Sequence, residues 1–90
     1  MNNKVTTNFN ECLKYLKAKL VSNDYKVYVS KKDESLQHVD LLVCDIHNYA
    51  VAFMECALHL HDENMWCVYK GYALGLPHRF IQVYNIIEEK

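Results

Sequence analysis

The sequence predicts a single α+β domain: two helices on a four-stranded antiparallel sheet, in the order αββ-αββ. Three observations carry that expectation. The chain has 90 residues, enough for one small core and too few for two. Apolar residues recur at helical spacing near the N-terminus and in alternating or continuous runs further on. Three short matches then relate the two halves. Phe9-x-Glu11-Cys12-x3-Leu16 matches Phe53-x-Glu55-Cys56-x3-Leu60 at an offset of 44, Val27-Tyr28 matches Val68-Tyr69 at 41, and Val43-Cys44-Asp45-Ile46 resembles Val83-Tyr84-Asn85-Ile86 at 40. The offset shrinks in order, as short deletions in a second copy would make it. Residues 8–46 and 50–87 are therefore read as an internal duplication within one domain, 1–90.

The first helix is expected over 8–21. Asn8 is placed to cap it, with Glu11 three residues on, and Phe9, Cys12, Leu13, Leu16, Leu20 and Val21 form its apolar stripe. Ser22-Asn23-Asp24 ends it, with Asn23 suited to the left-handed position. Tyr25 to Val29 reads as a strand, Lys31 to Ser35 as a polar turn, and Val39 to Ile46 as a second strand that is apolar on both faces along its centre. Tyr49 to His61 is helix-prone in its Ala, Met, Glu and Leu content and is equally readable as a strand pair. The repeat decides for a helix at about 50–61. The stretch around Val68-Tyr69 then supplies the third strand and Arg79 to Ile87 the fourth. Phe80 and Ile86 lie on one side of that last strand, with Ile81, Val83 and Ile87 on the other. A sheet apolar on both faces is normally buried on both, so a homodimer or higher oligomer is expected.

Composition excludes several classes. Hydrophobic residues make up 51% and charged residues 23%, which is globular, not disordered. Two Gly and one Pro leave no Gly-rich phosphate loop. Tyr49 to Leu60 is interrupted by Glu55 and His59 and falls well short of the ~20 residues a bilayer needs. Four cysteines without a Cys-x-x-Cys, behind a start that lacks an apolar signal region, suit a reducing cytoplasm. Nine Lys to one Arg, with eight Asn and seven Tyr, is the skew of AT-rich coding common in phages, plasmids and low-GC bacteria.

Net charge is −1 but unevenly laid out. Residues 4–32 carry a net of +5, 33–69 a net of −7, and 70–90 a net of +1. Lys14, Lys17, Lys31 and Lys32, with Lys19 and Lys26, form a candidate nucleic-acid backbone patch, although the single Arg leaves little capacity to read bases.

Candidate chemistry is sparse. His59-x-His61-Asp62-Glu63, near Cys56 and Cys67, has metal-ligand residue types, but on a helix residues two apart point to different faces. Cys44 and His47 are close enough in sequence to pair as nucleophile and base, yet nothing supplies an oxyanion hole. Asp33-Glu34 and Glu88-Glu89 read as solvated pairs. No catalytic residues, metal or cofactor are assigned.

Gly71-Tyr72-Ala73-Leu74-Gly75-Leu76-Pro77-His78 stands apart. It holds both glycines and the proline, and it is expected to connect the last two strands, with the glycines taking backbone angles closed to other residues. Its apolar residues contrast with the polar turn of the first half. Tyr72, Leu74, Leu76 and the adjoining Arg79 are the candidate partner-binding residues. The expectation is a non-enzymatic, cytoplasmic protein-binding module, of the kind a phage or mobile element encodes to inhibit a host defence enzyme. The alternatives are a nucleic-acid-binding regulator using the lysines and a small-molecule or metal-binding module using the acidic middle.

Overall fold

The computed structural model describes residues 3–58 and 66–89. The chain runs α1 (Asn3–Val21), β1 (Lys26–Asp33), β2 (His38–Cys44), β3 (Ala50–Leu58), β4 (Trp66–Ala73) and α2 (Pro77–Glu88). The class is α+β, with two helices and a four-stranded antiparallel sheet, as expected. The order of elements is not. The strands form a meander, β1-β2-β3-β4, between two terminal helices, so the chain is αββββα and its halves do not repeat one unit.

The helix expected at 50–61 is strand β3 as far as Leu58, beyond which lie residues outside the description. Its burial alternates with period two. Ala52, Met54, Cys56 and Leu58 are buried, while Phe53, Glu55 and Ala57 are half-buried. Pairing with β2 and β4 on either side outweighs the helix preference of Ala, Met, Glu and Leu. The strand expected at 79–87 is instead helix α2. Pro77 begins it, where a missing N–H costs nothing. Phe80, Val83 and Ile87 then recur at helical spacing, with Val83 and Ile87 fully buried. Apolar residues on both sides of a supposed strand were a helical stripe read with the wrong period, so this segment gives no support to self-association.

Helix α1 begins at Asn3, which puts Asn8 inside it and not at its cap. It ends in a Schellman motif: Tyr25 N–H donates to Leu20 C=O and Asp24 N–H to Val21 C=O. Asp24, not Asn23, takes the left-handed angle, φ 68°. The Asn23 side chain donates to Lys19 C=O. Strand β1 extends to Asp33, so the turn falls at 34–37, with Gln37 left-handed at φ 57° and Asp33 accepting from Ser35 Oγ and Leu36 N–H.

One core forms between the sheet and the helices. Register sets Val39 beside Cys56, Leu41 beside Met54 and Val43 beside Ala52, and all six are buried against Phe9, Leu16 and Leu20 of α1 and Val83 and Ile87 of α2. The indole N–H of Trp66 reaches Ile87 C=O at 2.6 Å. Among the described residues, the opposite sheet face carries no helix. Across it runs a row of Tyr28, Leu42, Phe53 and Tyr72, and beside that a row of Lys31, Asp40, Glu55 and Lys70. Among the described residues, no helix is long and apolar enough to cross a membrane.

Candidate protein-binding surface

Two connections meet at one end of the sheet. The first, Asp45 to Tyr49, joins β2 to β3 and is organised by Asp45. Its carboxylate accepts from His47 N–H at 2.9 Å and Tyr49 N–H at 3.0 Å, and Asn48 turns the chain at φ 68°. Asn and Asp are suited to such positions because their short polar side chains satisfy the local backbone. The second connection, Leu74 to Leu76, joins β4 to α2. Leu74 N–H donates to Val51 C=O at 3.0 Å. Arg79, in the first turn of α2, donates to Asp45 Oδ2 at 2.6 Å and ties the two connections together.

This places the expected residues as follows. The segment 71–78 does not join two strands: Gly71, Tyr72 and Ala73 end β4, Leu74 to Leu76 turn the chain, and Pro77 starts α2. Neither glycine has a positive φ, so their value is not conformational freedom. Tyr72, Leu74 and Leu76 are all exposed, at 41%, 44% and 56%. Arg79 is engaged within the chain. Sequence reasoning missed Ile46, 59% exposed, and Tyr49, 71% exposed, which stand on the facing loop. The Asp45-x-x-Asn48 spacing of a side-chain-capped turn was the available signal, hidden by extending β2 through Ile46. Tyr28 links this end to the open sheet face through its hydroxyl, which donates to Asn48 Oδ1 at 2.7 Å.

The bonds to Asp45 set its charge state. Tyr49 N–H first, and then the Arg79 guanidinium, hold its carboxyl below the ordinary aspartate range against some opposing desolvation. Asp33 is lowered too, first by Ser35 Oγ and Leu36 N–H. Carboxyls lowered in the folded state stabilise it above their unfolded value, about 3.9, and that contribution is lost as pH falls through the folded value. Their contribution to stability is therefore expected to decline as pH falls below about 4. Asp45→Asn should shallow that decline in an acid titration followed by circular dichroism. An unchanged profile would mean that the Asp45 network is not formed in solution.

The other candidates are separated. Cys44 is buried and its thiol is pushed up, first by burial and then by Asp45. Cys12 is pushed up to about 11 by burial. Thiols held protonated are poor nucleophiles, and the Cys44–His47 pair gains nothing from the fold. His59, His61, Asp62 and Glu63 lie outside the described residues, while Cys56 is buried in the core. Among the described residues no three His, Cys, Asp or Glu side chains gather as metal ligands. Asp33 and Glu88 are both engaged with backbone N–H groups. Lys14, Lys31 and Lys32 are exposed and Lys17 half-exposed.

No family model matches the chain, and no curated protein or solved structure matches it significantly.

Proposed function

We propose that the chain is a non-enzymatic protein-binding module whose contact surface is the apolar end formed by Ile46, Tyr49, Leu74 and Leu76. The supporting observation is their joint exposure on two connections held together by the Arg79–Asp45 bond. Large apolar side chains cost free energy when they face water together, and a partner surface that covers them recovers it. Loops fixed by internal bonds lose little entropy on binding. Tyr72, at the end of β4, extends the same surface toward the open face of the sheet. A chain this small that contacts a larger host enzyme through such a tip acts by occupying a site, the form an inhibitor of phage or mobile-element origin takes.

The test separates contact from packing. Tyr72→Ala with Leu74→Ala should weaken capture of a partner by a few kcal/mol, as for hot-spot residues. Its melting temperature should stay close to that of the unaltered protein, because exposed positions contribute within about 0.5 kcal/mol. Capture is read by affinity purification with mass spectrometry and then by titration with the purified partner. A folded variant with undiminished affinity, or a variant that mainly loses stability, would overturn this reading. Light scattering on the purified chain tests whether the surface is instead covered by a second copy.

A further inference from the structure

The two edges of the sheet are unlike. At the β4 edge, Val68 N–H donates to Glu88 Oε2 at 2.9 Å and the Trp66 indole to Ile87 C=O. The last turn of α2 therefore engages the Trp66–Val68 end of that edge. At the other edge, β1 pairs only with β2. Among the described residues nothing pairs with its outer side, and six of its eight residues are exposed.

Charge distinguishes this edge as well. Strand β1 carries Lys26, Lys31 and Lys32 against Asp33, which is committed to the turn, and Glu34 just beyond it lies 4.0 Å from Lys32 Nζ in an exposed pair. Helix α1 adds to the same side. Its Tyr15 ring lies 5.7 Å from that of Trp66, and Lys19 Nζ lies 5.9 Å from the Trp66 centroid. That flank of α1 thus faces β4. At 3.6 residues per turn, Lys17 falls on the opposite flank, toward β1, while Lys14 points away from the sheet. Unpaired main-chain groups and four lysines, Lys17, Lys26, Lys31 and Lys32, share one side of the molecule.

We propose that this edge recruits an extended acidic segment of another protein, which adds to the sheet as a fifth strand beside β1. Main-chain hydrogen bonds supply the pairing, as in other strand additions, and the lysines select the partner by sign. The lysines and the bulge between Val29 and Lys31 are devices that keep like edges apart. A second copy brings three lysines against three, whereas a strand bearing carboxylates meets attraction at the same positions. Nucleic acid fits less well. It has no use for an unpaired strand edge, and the rings of Tyr28, Phe53 and Tyr72 share their face with Asp40 and Glu55, which repel phosphate.

The probes are a blocked peptide alternating Glu and Val, matched to the eight residues of β1, its Lys–Val counterpart, and an oligothymidine. Binding is followed by fluorescence anisotropy at about 50 mM salt, where charge contacts are least screened. The Glu–Val peptide should bind and the Lys–Val peptide should not. Lys31→Glu with Lys32→Glu should weaken binding at least about ten-fold without lowering the melting temperature. N-methylation of alternate peptide nitrogens blocks one edge of the peptide at a time, so one of the two methylation patterns should abolish binding and the other leave it. Leu74→Ala with Leu76→Ala should leave it too, which keeps this edge distinct from the apolar end. Failure of the Glu–Val peptide to bind, equal binding of both methylated forms, loss of binding in the Leu74/Leu76 variant, or tighter binding of oligothymidine would each overturn the proposal.

Discussion

Replacing Leu41 with alanine is expected to lower the stability of the fold by about 2–5 kcal/mol, the usual range for removing a buried leucine side chain. Leu41 is central in β2, fully buried, and opposite Met54. Helices cover that face, so the space left behind cannot fill with water and closes only if α1 or α2 shifts. Small domains are stable by about 5–15 kcal/mol in total, so this one change removes a large share. Urea denaturation of both proteins measures it, with an unchanged slope showing that the same surface unfolds. Leu36→Ala is the control. That leucine is 62% exposed in the β1–β2 turn, and its loss should move stability by no more than about 0.5 kcal/mol. Similar losses from the two changes would mean that Leu41 does not lie in a core beneath the helices.

Gly71→Val is expected to destabilise by about 1–3 kcal/mol, although valine suits a strand better than glycine does. The reason is space. A Cβ at Gly71 would stand 3.0 Å from Met54 Sδ and 3.0 Å from two ring carbons of Phe80. The glycine lets α2 lay the Phe80 ring directly on β4. Thermal melts of Gly71→Val, Phe80→Leu and the double variant form a cycle. A loss in the single glycine variant that shrinks when Phe80 is trimmed identifies the clash. A gain in stability for Gly71→Val would show that the helix does not approach the strand here.

What the sequence revealed follows from where one local signal was enough. The stripe of α1 was legible because Phe9, Cys12, Leu13, Leu16 and Leu20 repeat without interruption and nothing competes for them. Strand β2 was legible because β-branched and leucine residues dominate it. The second half was misread because local preference and tertiary pairing disagree there. Met54 and Glu55 favour helix in isolation yet lie between two strands, and Ile81, Val83 and Ile87 favour strand yet follow Pro77 into a helix. The apparent repeat matched Phe9, in a helix, with Phe53, in a strand, so similarity over a few residues carried no shape. The apolar end was legible in part. Tyr72, Leu74 and Leu76 stood out as a loop that lacked polar residues, whereas Ile46 and Tyr49 come beside them only through a meander the sequence did not disclose.

The carboxylate of Glu88 on Val68 has a consequence for assembly. A sheet with one free margin can join at most one neighbour along that margin, and growth stops there. A sheet with two can add units at both sides and continue as a fibre, since head-to-tail contacts that do not close on themselves extend indefinitely. By engaging Val68 N–H, the end of α2 makes the β4 margin the less open of the two. A single acidic side chain near the last turn thus takes one main-chain donor of that margin out of use for a neighbouring strand.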